Sequence, residues 1–123
     1  MKTLIAGAAL GALLLGAVPT PAQAEATVDG NADYHVVQIP NGNDARIFWS
    51  CQAVASERVA GTSVTCTLFV GGEFVAEVAN ATEGMATATA NVTPHEVGAV
   101  QVCWEATALR LDGTLATDSG CNP

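Results

Sequence analysis

Basic residues are almost missing from this chain. Its 123 residues hold only four Lys and Arg against twelve Asp and Glu, a formal net charge of −8. Binding a nucleic-acid backbone needs clustered Lys and Arg, and Arg46, Arg58 and Arg110 stand far apart, so that partner class is excluded. The same acidic surface repels anionic lipid and favours solubility. Aromatics are scarce too: one tyrosine, two tryptophans and three phenylalanines. The remaining apolar residues are mostly Val and Ala, which bury little area each, so the expected core is thin. No helix-period pattern appears after the first two dozen residues, which leaves a strand-built domain.

The chain opens with the three parts of a secretory signal. Lys2 is the positive start, Leu4 to Val18 is an apolar run, and Ala22-Gln23-Ala24 has the small-x-small form that a signal peptidase cuts. The run is too short to span a bilayer comfortably. The expected organisation is a helical signal peptide over 1–24, a flexible segment over 25–33 and one domain over 34–123. Cleavage removes the only lysine, Lys2, and takes the charge from −8 to −9. The expected location is extracellular, with no membrane association after cleavage.

Cys-x-x-Cys is absent, and neither His35 nor His95 sits at ligand spacing from a cysteine, so no metal is expected. The four cysteines, Cys51, Cys66, Cys103 and Cys121, then read as two disulfides of an exported domain. Short alternating runs divided by Gly, Asn and Asp give seven strands, the pattern of an all-β, antiparallel, Ig-like sandwich. They are expected over Tyr34–Ile39, Ala45–Ala55, Ser63–Val70, Glu73–Ala79, Met85–Thr93, Ala99–Leu109 and Thr114–Cys121. The Gly71-Gly72 hairpin is read with a three-residue loop, which sets Phe74 beside Leu68 or Val70 so that both apolar sets point inward.

The last hairpin informs the cysteine pairing. Gly113 suits the left-handed position of a three-residue loop, which pairs Arg110 with Thr114 and so sets Cys103 opposite Cys121. Their offset from the closing pair is odd, which places them where the α-carbons lie close. Cys51–Cys66 follows by elimination, as a bridge between the second and third strands that clamps a strand pair without pinning one sheet to the other. The rival is an immunoglobulin-type Cys51–Cys103 bridge, which needs Cys103 to face the core; a bulge in the sixth strand would permit it.

Nothing specifies a reaction. No nucleophile turn surrounds any serine, and His35 and His95 read as surface residues. Glu73 and Glu77 lie roughly 13 Å apart along one strand and read as solvating charges. Asp29-Gly30-Asn31-Ala32-Asp33 starts like a calcium loop, but Tyr34 and Pro40 occupy the positions that need glycine and glutamate. Asn80 and Asn91 fit the glycan-acceptor pattern.

The Ala-rich leader, Ser-Val-Thr-Cys-Thr-Leu-Phe-Val-Gly-Gly at 63–72, and Val-Cys-Trp-Glu-Ala at 102–106 leading into Leu-Asp-Gly-Thr at 111–114 resemble the small exported proteins of actinobacteria. In format the chain is also similar to the enediyne-carrying apoproteins, which are acidic two-bridged sandwiches. Size, export and first-bridge spacing resemble the streptomycete subtilisin inhibitors. It lacks the inhibitors' cysteine-anchored reactive segment, and its late cysteines differ from the carriers', so no site residue is carried over. The expected function is a non-catalytic secreted binding or structural module, with no cofactor, acting on an extracellular protein or small molecule. The alternatives are a protease inhibitor using the 56–62 loop, where Glu57, Arg58 and Val59 would offer an arginine to a trypsin-like pocket, and a carrier of a small apolar molecule.

Overall fold

Alternation of apolar and polar residues governs every strand of the protein. The computed structural model describes residues 25–40, 45–94 and 98–123; the expected signal peptide, the expected turn at 41–44 and His95 lie outside the described residues. Seven strands follow in order: β1 (Val28–Gln38), β2 (Ala45–Ala55), β3 (Gly61–Val70), β4 (Glu73–Thr82), β5 (Ala86–Val92), β6 (Val100–Leu109) and β7 (Leu115–Asn122). They pair antiparallel in two sheets, of order β1-β2-β5 and β4-β3-β6-β7. The inward residues of both sheets meet in one cluster that includes Ile47, Trp49 and Cys51 of β2, Val64, Cys66 and Leu68 of β3, and Val102, Ala106 and Ala108 of β6. Trp49 is the only aromatic buried in it; Phe48 and Phe74 are exposed. A thin core is the result.

Three expectations change. Residues 28–33, expected to be flexible, belong to β1, which pairs with β2 from Val28↔Ala55 to Gln38↔Ala45. Val28 and Ala32 are buried, and Gly30 sits between them because the Trp104 indole occupies the space a side chain would fill. A glycine in the inward register hid the alternation. The calcium-like segment is therefore extended strand, and no group of three metal-binding side chains occurs among the described residues.

The second change is the β3–β4 loop, which has two residues rather than three. Gly71 and Gly72 have φ of 64° and 84°, as a tight turn with two left-handed residues requires. Phe69 therefore faces Phe74, with ring centroids 6.4 Å apart and edge-to-face. A bulge between Leu68 and Phe69 then moves the register to Leu68↔Ala76, and Cys66 meets Val78. The bulge, not the loop length, aligns the apolar sets.

The third change concerns the bridges. Cys103 and Cys121 lie opposite each other in the β6–β7 hairpin and are bonded. The turn has the anticipated three-residue form: the Arg110 N–H donates to the Thr114 carbonyl at 2.8 Å, and Gly113 has φ of 91°. Cys51 is bonded to Cys66, but β2 and β3 belong to different sheets. This bridge runs through the core and pins one sheet to the other, contrary to the local clamp expected from the chain order. Consecutive strands usually pair, and here the 56–60 connection crosses between sheets instead.

The β1 and β7 edges are joined by side chains. Asp118 Oδ2 accepts from the Gly30 N–H at 2.8 Å and from the Trp104 indole N–H at 3.2 Å. Asn122 Nδ2 donates to the Ala32 carbonyl at 2.8 Å. These contacts occupy backbone groups of β1 that would otherwise form an open strand edge.

Candidate functional site

Register brings four segments to one end of the molecule. Thr62 pairs with Thr82 on one side and Ala108 on the other, while Ala53 pairs with Ala86 and Ala55 with Val28. The segment 25–27, the 56–60 loop, the 83–85 turn and the 110–114 turn therefore lie together. The Ser56 N–H donates to the Thr27 carbonyl, the Thr27 N–H to Ser56 Oγ, each at 2.8 Å, and the Ala60 N–H donates to the Leu109 carbonyl at 2.7 Å.

Arg110 ties these segments together. Its Nε donates to the Ala26 carbonyl at 2.8 Å, its Nη1 to Thr114 Oγ1 and the Leu115 carbonyl, and it pairs with Glu25 at 3.6 Å. Asp112 closes the turn: one carboxylate oxygen accepts from the Thr114 hydroxyl at 2.6 Å and from the Thr114 N–H at 3.0 Å. The hydroxyl bond, then the backbone bond, hold its pKa below the usual aspartate value.

On this fixed frame the β6–β7 hairpin presents three leucines to solvent. Leu109, Leu111 and Leu115 are 42%, 67% and 59% exposed, and Leu109 faces Leu115 across the strands. Met85 is exposed on the neighbouring turn. The hairpin is legible in the sequence, where Leu109 ends the sixth strand, Leu111 opens the turn and Leu115 lies in the seventh strand, but the three are not marked there as one exposed group. Their signal is parity, since Leu109 falls on the polar side of β6 with Glu105 and Thr107.

Of the sequence-derived loop residues, Glu57 and Arg58 are exposed and Val59 is buried at 8% exposure. Burial of Val59 and anchoring of Ser56 and Ala60 make the loop a tight protrusion two residues wide. A segment threaded through a protease cleft must offer residues on both sides of the arginine, and here the following residue is in the core. His35 lies on the outer face of β1 in the row next to Ser50, and no hydrogen bond joins their side chains. Asn80 uses its amide to donate to the Thr87 carbonyl at 2.9 Å, linking β4 to β5. Ile47, Val64, Leu68 and Val102 fill the middle of the space between the sheets.

Compared with known proteins, the chain matches no family model, no curated protein and no solved structure.

Proposed function

We propose that the protein is an exported, non-catalytic binding module of Ig-like sandwich form, related to the small exported actinobacterial proteins it resembles, and that it docks a partner protein through the loop end. The shared core and the cross-sheet Cys51–Cys66 bridge support the sandwich. Two disulfides with no free cysteine among the described residues support an oxidising, extracellular setting.

The observation that carries the docking role is the leucine group on the β6–β7 hairpin. A protein with a thin core leaves three large apolar side chains in water at one tip, on a turn held by Arg110 and Asp112. Large apolar side chains gathered on one exposed hairpin are the kind of surface that marks interaction sites, and a rigid tip loses little freedom on binding. Arg58 and Glu57 beside it supply a polar rim of both charge signs. The test is partner retention by the wild-type protein compared with a Leu111→Asp/Leu115→Asp variant of unchanged melting temperature. Loss in the variant supports the reading, and equal retention contradicts it.

A further inference from the structure

A groove of roughly 410 Å³ opens on the outer face of the three-stranded sheet, separate from the loop end. Strand register sets its floor. Asp33, Ser50 and Thr89 lie abreast, and His35, Phe48 and Asn91 form the next row. Neighbouring strands are about 4.8 Å apart and same-face residues about 6.7 Å apart along a strand, so these six side chains tile an area of about 10 by 7 Å. Phe48, 41% exposed, is the single aromatic among them. Asp33 is fixed, because one carboxylate oxygen accepts from the Tyr34 N–H at 2.9 Å. The side chains of His35, Ser50, Thr89 and Asn91 make no hydrogen bond among the described residues and remain available to a ligand.

The chemistry selects the ligand class. The groove is shallow and open, so it cannot bury an apolar molecule on all sides as a carrier site does. One exposed ring among hydroxyl, amide, imidazole and carboxylate groups suits a ligand with an apolar C–H face and many hydroxyls. Charge narrows it further. The chain carries −8, the groove lining holds Asp33 and no Lys or Arg, and Arg46 stands one row beyond it, which disfavours a phosphate or sulfate ligand. We propose that this groove binds a neutral oligosaccharide, one sugar ring stacking on Phe48 while its hydroxyls bond to Asp33, Ser50, Thr89 and Asn91. The footprint is that of a disaccharide unit. The inference is independent of the docking role of the leucine hairpin.

The test is titration of the isotope-labelled protein with cellohexaose and, separately, chitohexaose, followed by backbone amide shifts. Saturable shifts are expected at 33–35, 48–50 and 89–91 with at least one probe. Phe48→Ala should weaken binding about tenfold, the scale of a lost ring contact, while Phe48→Tyr retains it. Asn91→Ala, at an exposed position on β5, should weaken binding about threefold with an unchanged melt, and it keeps the test valid if Phe48→Ala unfolds the protein. No saturable shift with either probe overturns the proposal, as does tighter binding of a sulfated oligosaccharide. Shifts of the same residues with protein concentration alone also overturn it, because they make the face a self-association surface.

Discussion

Trp104 lies between two glycines, and that arrangement sets the tolerance of the β1–β7 side. A Cβ placed on Gly30 would collide with the pyrrole edge of the indole, and one on Gly120 would sit 2.5 Å from its benzene edge. The indole N–H is held by Asp118, which also holds Gly30, so the ring is flanked at both edges and tied at its pyrrole nitrogen. Gly30→Ala should cost about 1–3 kcal/mol through overpacking, read as a lower urea midpoint. An unchanged midpoint would mean that the indole shifts freely. Asp112 is the second residue with a defined consequence. Its folded pKa lies below the unfolded one, so its stabilising contribution is complete above the unfolded carboxylate pKa and fades as pH falls through the lowered folded value. The melting difference between wild type and Asp112→Ala should therefore narrow from neutral pH to about pH 2. A constant difference across that range would place the effect of Asp112 outside its carboxylate.

At the scale of elements, local signals were readable and non-local ones were not. The β6–β7 hairpin follows from Leu111-Asp112-Gly113, because a left-handed glycine fixes the loop and the loop fixes the Cys103–Cys121 pairing. Gly71-Gly72 fits a loop of either length, and the bulge that settles its register depends on how β4 lies against β3. The start of β1 was obscured by Gly30, whose smallness answers a tryptophan 74 positions away in the chain. Sheet membership of β2 and β3 was beyond reach, since alternation is the same whether neighbours pair or face each other. That difference changes what the bridges do. Each closes a comparable span, 15 and 18 residues, and each should contribute about 3 kcal/mol through the unfolded chain. Only Cys51 and Cys66 are also buried in the core. Cys51→Ala/Cys66→Ala should therefore lower the melting temperature more than Cys103→Ser/Cys121→Ser, and thermal melts giving the reverse order would place the main constraint in the hairpin.

The whole molecule presents an acidic body with an exposed leucine group at the loop end, while Val36, Val37 and Phe74 are exposed toward the opposite end. Three of its four edge strands carry a guard: Glu73 and Glu77 stand on β4, and β7 is tied to β1 by Asp118 and Asn122. Pairing through the β4 edge is thereby discouraged, and the hairpin leucines with Met85 remain an exposed apolar group at the loop end. Glu57 and Arg58 were readable as an exposed loop, but the partner of that loop in space, the hairpin tip, depended on sheet topology. The most direct measurement is retention of culture-medium proteins on the immobilised protein, wild type beside the Leu111→Asp/Leu115→Asp variant, with equal melting temperatures confirmed first. A defined partner held by the wild type and lost from the variant is the expected result. The same partner held equally by both would contradict docking through the loop end.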